Sequence, residues 1–528
     1  MPRPFAPVLR LVPRLIALLW LIGGFIPLLQ AQRPEPPRHV IRFSPGPQYF
    51  PGTVPQGVGL PLTGISRVVA AFEKQFPDTK VEVVNTPVTR EYLVTQLSGG
   101  AAPDIVAVNV EDVWVDVQKN WYVPLDRFLA EPNPFVVARG DSAAPGYRQW
   151  WDMFRYQAVT RGKQAPDGFN YCLSLDMVET AIFYNKTFFK EHGLQTPETW
   201  AEFITLLQRI RTLGKTPLGV NIDMLADWGQ DLLFDQLYHG LLPGIDLRQD
   251  PEREAYLQGY LDPDEIAVLH HHGFFTAQDP RYVEVWRRLH ELARHCNRDL
   301  NPTTDIVRGF VSEQNVMIWN GSWLVGRLAA DPNLGFDWDV FYPPPLTPAD
   351  SPYATGVPMC VIGGVGNQYE ITNSALADTD PALPFAERIE RSQRVRRVVA
   401  LLQFICLPEN TAAIVNEFPG FIPNINGVPV LPALAPFEKI LERRYTTTKW
   451  AYTFDLRFTD ILRRMLMLHL ADGIDLDGFL AWQERNVSTA VANYIRRKQP
   501  DLAPLEASWR RLAPLRAGQP GLPVDPSP

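Results

Sequence analysis

ISRVVAAFEKQFPDTKVEVVNTP (residues 65–87), followed shortly by LSGGAAPDIVAVN (residues 97–109), is the stretch that decides the fold. Ile65, Val68, Val69, Phe72 and Phe76 recur at helical spacing, so one apolar face runs through a helix that must stop before Pro77. Val81 and Val83 then alternate with polar neighbours as a strand. Thr89 is placed to cap a second helix carrying Leu93, Val94 and Leu97, and Gly99 with Gly100 ends it. The largely apolar run 104–110 reads as a further strand. With an opening strand at residues 39–43 the order is βαβαβ, which predicts an α/β fold of mostly parallel sheets with helices on both faces.

The same grammar returns downstream. Thr196 before Pro197 predicts a helix start, Trp200, Phe203, Leu207 and Ile210 supply its buried face, and Gly214 ends it. A strand is expected at 218–222, and Val395, Val398, Val399, Leu402 and Ile405 mark another amphipathic helix halted by Pro408. At the N-terminus, Arg3, Arg10 and Arg14 precede an apolar run over 15–29, and Ala31 is a small residue suited to cleavage. Residues 1–32 therefore read as a secretion signal, with an uncleaved anchor as the alternative, and the product is expected in the periplasm or outside the cell. The stretch 501–528, rich in Pro, Leu and Arg, reads as a mobile tail.

A chain of 528 residues exceeds one ordinary domain, and its 46% hydrophobic and 20% charged residues give a globular balance. The net charge of -8 comes without a long basic run, which excludes nucleic acid as the expected partner. Cys172, Cys296, Cys360 and Cys406 form no CxxC pair, so neither a disulfide-dense scaffold nor a common zinc signature is present, and isolated disulfides or buried thiols both stay open. His270, His271 and His272 are consecutive and cannot share one helical face. DGIDLDG at 472–478 lacks the glutamate that closes a calcium loop, and GGVGN at 363–367 lacks the dinucleotide pattern. No metal, no cofactor and no catalytic constellation is expected.

Several segments resemble the extracellular solute-binding proteins of carbohydrate ABC importers, the maltose-binding-protein-like group. They are the two quoted stretches, WYVPLDRFL (121–129), VETAIFYNKTFFKEHGLQTPETWAEFITLLQRI (178–210), VMIWNGSWLVGRL (316–328), FDWDVFYPPP (336–345), GVPMCVIGG (356–364), LLQFICLPEN (401–410) and ILRRMLMLHLADGIDLDGFLAWQERNV (461–487). The strongest is 178–210, with Tyr184-Asn185-Lys186, Gly193, Pro197 and Thr199-Trp200 in the family's order. The resemblance implies a two-lobed, periplasmic-binding-protein-like fold with a hinge that crosses three times. It puts one lobe at 38–168 plus 341–407 and the other at 171–338 plus 408–500, with insertions near 45–62, 131–168 and 235–305. It also implies a monomer that captures a saccharide or polyol and delivers it to an ABC transporter permease, without catalysis. A secreted carbohydrate-active hydrolase and a ligand sensor subunit are the competing readings.

A sugar offers hydroxyl edges, met by carboxylates and amides, and an apolar face, met by aromatic rings. Glu111, Asp112 and Trp114 follow the strand at 104–110, where side chains reach the cleft of such folds. Trp228 is expected on a loop after a strand. Trp319 and Trp323 flank Asn320-Gly321-Ser322 at a strand end, Gly321 letting backbone approach a ligand, with Trp319 the better candidate for core. Tyr353, Thr355 and Gly356 form a hinge-side set. Asp176 lies near the first lobe crossing, to contact ligand or to cap a turn. The loop 44–64 is expected to contribute residues that the sequence does not single out.

Overall fold

The computed structural model describes residues 38–523 except 58, 87–89, 109–112, 114–115, 156–164, 166, 250–260, 358–362 and 439–455. The signal at 1–32, the cap at Thr89, Cys360 and the candidates Glu111, Asp112 and Trp114 lie outside the described residues. Eleven strands are described: β1 (His39–Phe43), β2 (Thr79–Val83), β3 (Ile105–Ala107), β4 (Cys172–Ser174), β5 (Asp176–Asn185), β6 (Thr216–Gly219), β7 (Asn315–Gly321), β8 (Trp338–Phe341), β9 (Gly363–Val365), β10 (Gln368–Ile371) and β11 (Ile422–Pro423). They make two sheets, one ordered β2-β1-β3-β10-β4, the other β11-β5-β7-β6 with β8 and β9 also on β5.

The quoted stretch folds as its pattern dictates. The helix Gly64–Gln75 buries Ile65, Val68, Val69 and Phe72 against β1, whose Ile41 and Phe43 have no exposure, and against Val395, Val398 and Leu402 of the helix Gln393–Ile405. β2 runs parallel to β1 in register His39 to Thr79 through Phe43 to Val83. The second core gathers Trp200, Phe203, Leu207 and Ile210 of the helix Trp200–Thr212 with Phe234, Trp286 and Phe479. That helix starts three residues later than Thr196 predicts, because Thr199 and Glu202 form a reciprocal capping box that satisfies more free N–H groups.

The sheets are of mixed orientation. Parallel pairing holds for β1–β2, β1–β3 and β6–β7, while β10 runs antiparallel to β3 and β4, and β5 is antiparallel to β7, β8, β9 and β11. β5 is the pivot of the connections. It follows β4 of the first sheet after one residue, and its first residues pair with β9 and β11, where the chain crosses twice more.

Two assignments made from the sequence differ. The helix Pro408–Val415, placed above with the second lobe, packs on Gly64–Gln75 and sends Ile414 and Val415 into the first core. The stretch 503–516, placed above in a mobile tail, contains the helices Ala503–Arg511 and Ala513–Arg516, each with its proline in the first two positions where no N–H is missed. Arg516 is buried beneath them, donating to Gly244 O and Trp509 O at 2.7 Å each.

Candidate functional site

The C-terminal ends of β6 and β7, parallel neighbours, lie at one edge of the second sheet, where open α/β folds place ligands. β6 ends at Gly219, and Asn221 then caps a helix by accepting from Met224 N at 3.0 Å. Trp228, expected on a loop, sits instead within a π-helical turn, Leu225–Gly229, that runs on into the helix Gln230–Tyr238. β7 ends at Gly321 and turns through Ser322–Leu324 into the helix Val325–Ala330.

Three indoles meet at this edge. The Trp228 ring lies 6.0 Å from Trp319 and 5.8 Å from Trp323, inclined at 57° and 62°. Trp319 is fully buried, and its Nε1 donates to Thr180 Oγ1 at 3.2 Å across the β5–β7 pair, so it is the backing of the cluster. Trp228 and Trp323 are half-buried. Gly321 has a role other than the expected one, since a Cβ there would overlap the Trp323 indole. The space above Gly321 is what lets Trp323 fold back over the strand end. Asn320 is buried, and its Oδ1 accepts from Gly321 N at 2.8 Å, stiffening the same turn.

This turn abuts residues belonging to the first lobe. Ser322 donates to Gly420 O at 2.9 Å, Phe418 fills the space over Gly326, and the turn Pro55–Gly57 lies against the helix Val325–Ala330. The loop after β1 thus reaches the second lobe, and Tyr49 of that loop is buried with its ring 5.4 Å from Phe421. The sequence marked this loop without singling out Tyr49. One tyrosine among prolines and glycines carries no periodicity to show which way it points.

The acids near the cluster differ in setting. Asp227, next to Trp228, accepts from Arg463 at 3.3 Å and stays partly exposed. Asp235, two helical turns beyond Trp228, is buried with no hydrogen-bond partner on Oδ2, and desolvation pushes its carboxyl well above the usual range. Asp176 is fully buried at the start of β5, accepting from the Tyr49 hydroxyl and, at 3.0 Å, from Asn367 N. It belongs to the crossing and not to the indole edge. Tyr353 and Gly356 are also elsewhere. Tyr353 lies under the Arg281 guanidinium, 4.9 Å from the ring centre, and against Gly521, while Gly356 faces Pro348 and the Thr355 methyl faces Gly240. Of the expected residues the structure brings together Trp228, Asn320, Gly321 and Trp323.

Among the described residues the cysteines and histidines form no group of three or more that could hold a metal ion. Cys172, Cys296 and Cys406 are buried, and burial pushes the thiols of the latter two up to about 12. His270 bonds Ser488 and His272 bonds Glu506 while stacking on Trp509 at 4.3 Å.

Two lobes joined through β5 define the fold of the two-lobed solute-binding proteins. The family model described as bacterial extracellular solute-binding protein matches residues 61–286, which bears out the resemblance read from the sequence. The multiple sugar-binding protein of Streptococcus mutans is 25% identical over 263 residues, 49% of this chain and 54% of that protein, so the chain spans about half the length of the curated relative it matches. Among solved structures, RafE from Streptococcus pneumoniae aligns with a TM-score of 0.59 at 18% identity, over 86% of this chain and 98% of that one. The sugar-binding protein MalE from Xanthomonas citri aligns at 0.58 and 19% identity, over 88% and 100%.

Proposed function

We propose that this chain is an exported receptor that takes a saccharide between its lobes and hands it to an ABC importer permease, without converting it. The observation that carries this reading is the cluster of Trp228, Trp319 and Trp323 at the strand ends of the second lobe, where that lobe meets residues of the first. Half-buried indoles offer a flat apolar face of the kind that sugar rings stack on, and Asp227 and Asn320 add polar groups beside them. The family match and the sugar-binding names of the relatives support a carbohydrate over other solutes. The lobes turn about β5, whose first residues share pairing with both returning strands.

A thermal-shift screen of mono- and oligosaccharides tests this reading, because ligand at 100 times its dissociation constant adds about 2.7 kcal/mol of stability. A hit should then lower the radius of gyration in small-angle scattering. Trp323→Ala should weaken binding by about tenfold or more, about 1.4 kcal/mol, while the melt changes little. Trp200→Ala should do the opposite, costing roughly 3–5 kcal/mol of folding, since Trp200 is fully buried in the second core. Recovery of cleaved sugar after incubation would overturn the binding-only reading. Normal binding by Trp323→Ala would move the site off the indole edge.

A further inference from the structure

The crossing between the lobes contains a buried aspartate whose carboxylate and backbone are held by residues from the loop after β1, from β4, from the turn between β9 and β10, and from β11. Asp176 opens β5, has no exposure, and is faced from the loop after β1 by Tyr49, whose hydroxyl donates to Oδ2. From the turn between β9 and β10, Asn367 N donates to Oδ1 at 3.0 Å and Gly366 N to the Asp176 carbonyl at 3.1 Å. A side chain at Gly366 would overlap the carboxylate, so the glycine is what allows this turn to close over it. From β4 the Ser174 hydroxyl lies 2.7 Å from the carbonyl oxygens of both Asp176 and Asn367. From β11, Pro423 pairs directly with Asp176. The Tyr369 hydroxyl of β10 stands behind Asn367, bonded to its Nδ2 at 2.9 Å and to Pro45 O at 3.2 Å.

We propose that Asp176 and Tyr49 form a protonation-sensitive latch at the hinge, in which neutral Asp176 holds the loop after β1 across both lobes and ionised Asp176 favours an arrangement that hydrates the crossing and frees that loop. The loop is the lever. Its Tyr49 end is fixed to the crossing and its Pro55–Gly57 end lies on the helix Val325–Ala330 of the second lobe, so rotation about β5 must slide one end or the other. Among the described residues the carboxylate's partners are neutral donors, the Tyr49 hydroxyl and the Asn367 amide. Burial raises Asp176 to about 7, with the bonds from Tyr49 and Asn367 opposing the rise. The other titratable groups in the set do not compete near neutral pH. Burial pushes the Tyr49 and Tyr369 phenols up, and the Cys406 thiol that faces Tyr369 up to about 12.

The sign follows from linkage. The arrangement in which Asp176 binds its proton more tightly is favoured by proton uptake, so the latched arrangement gains as pH falls through about 7 and loses as pH rises through it. The inference rests on the two-lobe fold and not on the class of ligand, and it is read without ligand, so it can fail while the saccharide reading stands, or the reverse.

The experiment places spin labels on the exposed positions Ser98→Cys in the first lobe and Thr205→Cys in the second, in a Cys360→Ser background, since the described native cysteines are buried. The inter-lobe distance is measured by pulsed electron resonance from about pH 5.5 to about pH 8.5. The expected result is two populations that exchange with a midpoint below about 7 and a constant ratio above it in the parent protein, a distribution fixed at the acid form in Asp176→Asn, and a midpoint displaced to higher pH in Tyr49→Phe, which removes a bond that favours the ionised carboxylate. A distribution that does not move with pH in the parent overturns the latch. So does a pH response that survives in Asp176→Asn. If Asp176→Asn fails to fold, an unmoved midpoint in Tyr49→Phe overturns it instead.

Discussion

Asp104 and Asp176 are both aspartates with no exposure to solvent, one at the start of β3 in the middle of the first sheet and one at the crossing, and they are answered by opposite chemistry. Asp104 receives Arg394 through two bonds, Nε at 2.8 Å and Nη2 at 2.7 Å, and Arg42 N at 2.7 Å. Asp176 receives a phenol and a backbone amide and no cation. A paired fork fixes geometry and charge together, which suits a joint between a sheet and the helix Gln393–Ile405. Neutral donors leave the charge free to change, which suits a place where parts move. Burial alone therefore does not tell whether an acid is structural; the identity of its donors does.

The comparison breaks most visibly at Arg394. Arg394→Leu leaves Asp104 buried and unpaired, and urea melts should lose about 3 kcal/mol, the low end for a buried pair because the Arg394 side chain is 25% exposed. A loss well under 1 kcal/mol would mean the fork is no more structural than the neutral set at Asp176. Asp176→Asn sharpens the other side. With its folded value at about 7 against about 4 in an unfolded chain, Asp176 contributes stability that is fully present below about pH 4 and disappears as pH rises to about 7. Parent stability should thus fall by up to about 1.4 kcal/mol per pH unit over that window from this group, and Asp176→Asn should remove that slope. Equal slopes in both proteins would assign the titration elsewhere. Tyr49→Phe is the smallest change, about 1 kcal/mol in a denaturant melt. A loss as large as that of Arg394→Leu would show that the phenol carries the weight of a cation.

Much of the fold was legible because several elements announce themselves locally. β1, the helix Gly64–Gln75, the helix Trp200–Thr212 and the helix Gln393–Ile405 each present a clean period of buried residues over one segment. β5 does not. Its burial is nearly continuous, so it shows no alternation, and its partners arrive from as far along the chain as Pro423. The helices in 503–516 were hidden by composition, since a count of prolines does not register that each sits at a helix start. At the site, Trp323 and its turn were visible as a glycine between aromatics. Trp228, expected on a loop, stands on a π-helical turn, which has no sequence period of its own. Tyr49 and Asp176 were brought together only by the fold.

The burial of Arg516 against the Gly244 carbonyl has a consequence for the order of events during synthesis. The two residues are 272 positions apart, so the wall of the second lobe around Gly244 stays open while the ribosome makes everything in between. At elongation rates of about 5–20 residues per second that interval is roughly 14–54 s. For that time the nascent second lobe exposes apolar surface that only late residues will cover. The first sheet must wait in the same way for β10 to join β3 to β4. A chain wired so that neither half closes early remains a loose substrate for chaperones until translation is well advanced.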